Sequence, residues 1–371
     1  MTLTMGRAPV LTGAGEVAPI RVVVVDDSAF LRFMISKHLN EAAGMQVVAT
    51  AHDGEEALKL VAQHQPDVVT LDVEMPRMDG LTTLRAIMSQ APRPVVMISS
   101  LTSEGARETV QALTLGAVDF VTKPATRANV GSVMEEVVAK VRAAARARVR
   151  IVRAPTTPIA PLGGERAGLR LAAGPTKDVR PLRTSDRIVV IGASTGGPRA
   201  LQTVMSGVSA SWPAAMVIVQ HMPIGFTRSL AERLDGLSGF QVREARPGDE
   251  LQVGLCLIAP GGFHLQLDET GKVKLNQNPP VHGVRPSVDV TLMSVAQRYQ
   301  QRVVTAILTG MGSDGTQGAA LVNSLGGRVI AEDESTCVVW GMPRSVAESG
   351  AAHEIVPLPD VARALERAAR A

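Results

Sequence analysis

Arg21-Val-Val-Val-Val-Asp-Asp27 decides the fold. Four consecutive β-branched residues without polar alternation read as a strand buried on both faces. The run ends in two acids, and a helix-periodic segment follows, with apolar residues at 29, 30, 33, 34 and 39. The same unit recurs. Strand-like runs fall at 46–51, 68–71, 95–98 and 117–121, and helix-like segments at 55–63, 81–90, 104–115 and 133–148. About five strand–helix units in about 120 residues imply a parallel sheet with helices on both faces. A second such pattern starts at 187–191. Its further strand-like runs are 215–219, 255–259, 303–308, 328–331 and 337–340, with a hairpin-like stretch at 263–267 and 273–275. Its helices are expected at 199–208, 226–235, 288–298, 316–325 and 359–371, the last with Pro359 in its first turn. The expected fold class is α/β: two doubly wound parallel-sheet domains.

At about 150 residues per domain, 371 residues fit two domains plus connecting material. The expected division is an N-terminal extension (1–19), a first domain (20–142), a linker (143–185) and a second domain (186–371). The linker has prolines at 155, 158, 161, 175 and 181 and no apolar periodicity. From Lys140 to Arg187 there are 12 Lys/Arg and 3 Asp/Glu, about +9 in a chain of net +3. A solvated spacer accounts for this better than a patch for nucleic acid.

Hydrophobic residues at 45% and charged residues at 20% exclude a mainly disordered chain. Aromatic residues at 2% argue against a base-stacking platform. The two cysteines, Cys256 and Cys337, form no CxxC or Cys/His cluster, so no structural zinc is expected and a reducing cytoplasm fits. The N-terminus lacks the apolar core of a signal peptide. No apolar run approaches the roughly 18 residues of a membrane span, so no membrane insertion is expected.

In open parallel sheets, functional groups gather beyond the strand C-termini. There the first domain places Asp26 and Asp27, Asp72, Ser99 and Lys123. Three carboxylates at adjacent strand ends repel one another unless a divalent cation or a lysine offsets them, and oxygen-only ligands suit Mg²⁺. A carboxylate so placed, beside a hydroxyl and an ammonium, can accept a phosphoryl group. These residues, with Thr70-Leu-Asp-Val-Glu-Met-Pro-Arg-Met-Asp-Gly80, Met97-Ile-Ser-Ser100 and Phe120-Val-Thr-Lys-Pro124, resemble the response-regulator receiver domain, of flavodoxin-like fold. The resemblance implies that Asp72 is the phospho-acceptor and that Asp26, Asp27, Asp72 and the Glu74 carbonyl hold Mg²⁺. It also implies that Ser99 and Lys123 read the phosphoryl group and that Phe120 is the aromatic switch. Lacking a hydroxyl, Phe120 can act only sterically.

In the second domain Gly192-Ala-Ser-Thr-Gly196 follows a strand and opens a helix, as a nucleophile elbow does. A serine nucleophile needs a base, and the base needs an orienting acid. His221 follows the strand run 215–219, and Asp314 lies in the glycine-rich turn after 303–308, so both are expected on the sheet edge that carries Ser194. His264 and His282 are weaker candidates; His38, His52, His64 and His353 lie elsewhere. The order Ser–His–Asp differs from that of ordinary α/β-hydrolases.

Ile191-Gly-Ala-Ser-Thr-Gly-Gly-Pro198, Val219-Gln-His-Met-Pro223, Ile258-Ala-Pro-Gly261, Arg285-Pro-Ser-Val-Asp-Val290 and the turn 308–315 resemble the chemotaxis protein-glutamate methylesterase/glutaminase (CheB) family. With the receiver, the resemblance takes in nearly the whole chain. It implies a Rossmann-like α/β hydrolase domain with a β-hairpin insertion. It makes Ser194 the nucleophile, His221 the base, Asp314 its orienter and the Met311 N–H an oxyanion donor. It further implies methyl-accepting chemoreceptors as substrate, a chemotaxis histidine kinase as phosphoryl donor, a cytoplasmic location at receptor arrays, and no cofactor for hydrolysis. A response regulator with a DNA-binding output is one rival; no helix-turn-helix with a basic recognition helix supports it, and no nucleic-acid partner is expected. A receptor-localised scaffold with an inactive hydrolase site is the other, and the intact Ser194, His221 and Asp314 argue against it.

Overall fold

The computed structural model describes residues 11–12, 16–124, 126, 129–147 and 177–371. Most of the proline-rich stretch and of the N-terminal extension therefore lies outside the described residues. Leu11–Thr12 and Glu16–Val17 form a two-residue antiparallel pair.

The first unit alternates β1 (Ile20–Val25), α1 (Ala29–Glu41), β2 (Met45–Ala51), α2 (Gly54–His64), β3 (Val68–Asp72), α3 (Gly80–Gln90), β4 (Val95–Ser99), α4 (Ser103–Leu115), β5 (Asp119–Thr122) and α5 (Val130–Ala144). All pairings are parallel, in the order β2-β1-β3-β4-β5. The valines of β1 serve both faces: Val23 and Val25 join one apolar cluster, Val22 and Val24 another. Side-chain oxygens of Ser28, Asp53, Asp79 and Thr102 accept hydrogen bonds from the first turns of α1 to α4, which fixes where those helices start. The fifth strand begins two residues later than the apolar run at 117, and α5 starts at Val130 rather than 133.

The second unit contains β6 (Arg187–Ala193), α6 (Gly197–Ser206), β7 (Ala214–Gln220), α7 (Phe226–Asp235), β8 (Gln241–Glu244), β9 (Leu255–Ile258), the hairpin β10 (His264–Leu267) and β11 (Val273–Asn276), α8 (Val288–Tyr299), β12 (Val303–Ile307), α9 (Thr316–Ser324), β13 (Arg328–Glu332), α10 (Met342–Glu348), β14 (Glu354–Val356) and α11 (Leu358–Arg370). Seven parallel strands run β8-β9-β7-β6-β12-β13-β14. The chain moves outward from β6 first through β7 and later through β12. The crevice at the end of β6 is thus a topological switch point, where α/β sheets bind ligands.

Two differences from the sequence reading concern this sheet. The run 337–340 is not a strand; it makes only one isolated bridge, Gly310 to Trp340. The edge strands β8 and β14 were not legible in the pattern. Parallel doubly wound sheets account for both units as expected.

The two units share an apolar core. Val23, Leu71 and Phe120 belong to the same cluster as Val189, Leu201 and Phe226. Among the described residues no helix is long and apolar enough to cross a membrane.

Candidate active site and acid pocket

The ends of β1 and β3 bring Asp26 and Asp72 together, both fully buried. Carboxylate oxygens of Asp26, Asp27 and Asp72 lie within 4.8 Å of one another. Lys123, just after β5, donates to Asp72 Oδ2 at 2.7 Å and stands 4.0 Å from Asp26 Oδ2. Burial, reinforced by the charge of Asp26, pushes Asp72 up to about 7 despite Lys123. Burial also raises Asp26. Asp26 Oδ2 is buried with no hydrogen-bond partner. One lysine therefore leaves anionic oxygen uncompensated, and an all-oxygen set of this kind fits a hard divalent cation. Glu74 donates its N–H to Asp72 Oδ1 at 3.3 Å, while its side chain accepts from Ser100 Oγ at 2.6 Å. Ser99 is buried, but its hydroxyl faces α4. It accepts from Thr109 Oγ1 at 2.7 Å and donates to the Gly105 carbonyl at 3.2 Å.

Ser194 follows the last residue of β6. Its N–H donates to the Thr309 carbonyl at 3.0 Å, and its own carbonyl accepts from Gly197 N at 2.7 Å, which bends the chain into α6. Gly196 sits at φ +79° directly under Val338, whose Cβ would lie 2.6 Å from an added Cβ. Only glycine meets both demands. Strand register sets Gln220 opposite Ala193, so the next residue on each strand, His221 and Ser194, emerges at one edge.

His221 Nε2 donates to Asp314 Oδ2 at 2.8 Å. Asp314 also accepts from Ser287 Oγ (2.8 Å), Val288 N (2.7 Å) and Asp289 N (3.0 Å) at the start of α8. Burial alone would raise its pKa. The hydrogen bond and charge of His221, with the two backbone donors, outweigh that and hold it at about 2. Asp314 is therefore a fixed anion aimed at one imidazole nitrogen, and the other, Nδ1, is the nitrogen left for Ser194. Ser194 Oγ itself makes no hydrogen bond to His221 among the described contacts. Met311, at 48% exposure, stands at this edge, and its N–H has no acceptor among the described residues.

The weaker histidines have other partners. His264 Nε2 meets the Pro279 carbonyl at 3.1 Å, and His282 pairs with buried Asp289 at 3.2 Å. Several supporting residues escaped the sequence reading. Gln220 donates Nε2 to the Ser194 carbonyl at 3.0 Å. Thr309 Oγ1 donates to the Thr195 carbonyl at 3.0 Å, and Thr309 N donates to buried Glu332 at 2.8 Å. Ser287 orients Asp314. Gln220, Ser287 and Thr309 carried a signal, by lying inside quoted motifs; Glu332 did not.

The first unit reaches this turn directly. Asp119 Oδ2 accepts from Thr195 Oγ1 at 2.5 Å, and the Val118 carbonyl accepts from Gly196 N at 3.2 Å. Phe120, 3% exposed, stacks on Phe226 of α7 with ring centroids 4.6 Å apart. Lys140 ties α5 to the same strand through Asp119 at 3.2 Å.

A family model described as CheB methylesterase matches residues 189–365, and one described as response regulator receiver domain matches residues 22–135. A Symbiobacterium thermophilum protein named protein-glutamate methylesterase/protein-glutamine glutaminase is 52% identical over 94% of this chain and 97% of that protein. The chain belongs to this family. A namesake from Archaeoglobus fulgidus is 44% identical over 94% of this chain and 97% of its own length. The crystal structure of the Thermotoga maritima CheB methylesterase catalytic domain is 49% identical, covering 49% of this chain and 98% of that chain, with a TM-score of 0.48.

Gly310 gives a local test of the geometry. A Cβ there would come 2.8 Å from Ser194 Cβ and 3.2 Å from Ser194 N. The same Cβ would run into the buried Met342 Sδ, so Gly310→Ala is expected to push the serine out of line, lower kcat by about 10²-fold and cost about 1–3 kcal/mol of stability through overpacking. Wild-type kcat in that variant would mean that the position of Ser194 is not critical.

Proposed function

We propose that the chain is a phosphorylation-activated serine hydrolase that demethylates glutamate methyl esters on chemoreceptors and deamidates receptor glutamines. The observation that carries this is the buried, fully hydrogen-bonded Asp314 holding His221 at the strand edge of Ser194. Ser194 attacks the ester carbonyl, and His221 Nδ1 takes its proton. The Met311 N–H and the start of α6 stabilise the oxyanion. His221 then protonates the departing methanol, and water attacks the acyl-enzyme with His221 as base. Ammonia replaces methanol when glutamine is the substrate.

Residues 20–142 act as receiver and 186–371 as catalytic domain, joined by the basic stretch 143–185 and preceded by the extension 1–19. Asp72 accepts a phosphoryl group from a chemotaxis histidine kinase. Asp26, Asp27, Asp72 and the Glu74 carbonyl would hold Mg²⁺, which when bound neutralises charge on the transferring phosphoryl oxygens. Lys123 and Ser99 read the modification. Ser99 must turn from Gly105 and Thr109 to do so. The protein works in the cytoplasm beside receptor arrays.

The contact of Asp119 with Thr195 supports restraint of the catalytic domain by the receiver. Asp119→Ala is expected to raise methanol release by the unphosphorylated full chain about tenfold. A rate no higher than wild type would discard this contact as the restraint. The reading as a whole is tested by methanol release from methyl-labelled receptor with and without a phosphoryl donor; equal rates would remove the regulatory half.

A further inference from the structure

Glu332 closes β13, fully buried and with no lysine, arginine or histidine against it among the described residues. Burial raises its carboxyl above the usual carboxylate range. An acid in such a place is costly unless its oxygens find donors. Both do. Oε2 accepts the Thr309 N–H at 2.8 Å, and Oε1 accepts from Thr336 Oγ1 at 3.1 Å. We infer that Glu332 is a positioning residue for hydrolysis: it anchors Thr309, and Thr309 grips the nucleophile turn on both sides of the Ser194 side chain. That role rests on the hydrolase reading and extends it to a residue the mechanism does not otherwise use.

The grip has two points. The Thr309 carbonyl accepts from Ser194 N at 3.0 Å, and Thr309 Oγ1 donates to the Thr195 carbonyl at 3.0 Å. Val339 N donates to the same hydroxyl at 3.0 Å and holds it in place. Because one residue supplies both points, any rotation of Thr309 moves Ser194.

The sheet does not fix that rotation. The last rung between β12 and β13 pairs Ile307 with Ala331, so Thr309 lies beyond the ladder. The N–H groups on either side of it go to backbone carbonyls: Leu308 N to Gly192 at 2.9 Å and Gly310 N to Val339 at 3.0 Å. Thr309 N alone of these three is held by a side chain. Two residues further on stands Met311, the proposed oxyanion donor. The Glu332 carboxylate therefore sets the nucleophile and the oxyanion donor relative to each other, the relation on which the chemical step depends. Both of its partners are donors, so what the site requires of residue 332 is acceptor oxygen rather than charge.

The test uses the phosphorylated full chain, read by methanol release from methyl-labelled receptor and by labelling of Ser194 with a fluorophosphonate, which reacts with an activated serine. Glu332→Gln keeps an oxygen for Thr309 N, and its amide can donate to Thr336 Oγ1, whose own hydrogen then goes to the Asp333 carbonyl 3.2 Å away. Its kcat is expected within about twofold of wild type. Glu332→Leu offers no acceptor. It is expected to lower kcat about 30-fold with KM within about twofold, and to slow labelling to match while every molecule is labelled at completion. Thr309→Val removes the hydroxyl and should lose as much; Thr309→Ser restores it and should return kcat to within about threefold.

Wild-type kcat in Glu332→Leu would overturn the role. Equal loss in Glu332→Gln would overturn the acceptor in favour of charge. A raised KM with kcat kept would overturn positioning in favour of substrate binding. A labelled fraction that falls in step with kcat would reduce Glu332 to structural support. Should Glu332→Leu not fold, the Thr309 pair decides: serine no better than valine would overturn the grip. No methanol and no labelling from the wild-type chain would remove the hydrolase reading and this role with it, a failure distinct from one confined to the variants.

Discussion

Ser194→Ala is expected to lower methanol release from methylated receptor by about 10⁶-fold, to the residue of rate that oxyanion donors and binding alone provide. The effect is large because the mechanism splits one difficult hydrolysis into two steps through an acyl-enzyme, and alanine leaves no atom to acylate. Fold stability is not at stake. Ser194 binds the scaffold through its backbone, by Thr309 and Gly197 and by the Gln220 amide, and alanine keeps all three contacts. The receiver should still be phosphorylated, so a normal phosphorylation level with no methanol is the combined signature. Methanol release persisting in the variant would place the nucleophile elsewhere.

Asp314→Asn is expected to cost about 10⁴-fold in kcat. Asparagine can occupy the same space, but it offers one acceptor oxygen where the carboxylate serves four donors. The amide nitrogen, turned toward His221, would select the wrong tautomer and leave Nδ1 protonated. It also cannot stabilise the imidazolium that forms when Ser194 gives up its proton. The variant should differ in acid stability too. The folded pKa of Asp314 lies below its ordinary value, so its contribution to stability is complete above about pH 4 and is lost as pH falls toward about 2. Asp314→Asn should unfold with less pH dependence across that window. A kcat within tenfold of wild type would show that His221 is oriented without this acid.

The strands that anchor both sites were legible because they are buried on both faces. Val22 to Val25 and Ile188 to Ile191 are unbroken apolar runs, and each leads into its polar chemistry at a strand end. The edge strands β8 and β14 were not. Gln241–Glu244 buries only Val242, and Glu354–Val356 buries none of its residues, so no periodicity marks them. Cys337 to Trp340 misled for the converse reason: the residues are apolar and β-branched, yet Val338 packs over Gly196 instead of joining a ladder. Ser194 and His221 could be picked out because each stands just past a strand, and Asp314 because it lies in the glycine-rich turn between β12 and α9. Gln220, Thr309 and Glu332 are ordinary polar residues until the fold gives them partners. The turning of the Ser99 hydroxyl toward α4 belongs to packing within the first unit, and the direct hold of Asp119 on Thr195 to packing between units; no local pattern encodes either.

That hold has a thermodynamic corollary. Strand β5 lies between Lys123, which touches Asp72, and the turn that carries Ser194. If a phosphoryl group at one end loosens this strand's attachment and so tightens substrate binding at the other, reciprocity requires the reverse by the same factor. A receptor segment held at Ser194 then favours the phosphorylated receiver. The enzyme would retain its activating mark best where unprocessed receptor is most abundant and surrender it as that receptor is consumed, with β5 coupling demand to supply inside one chain.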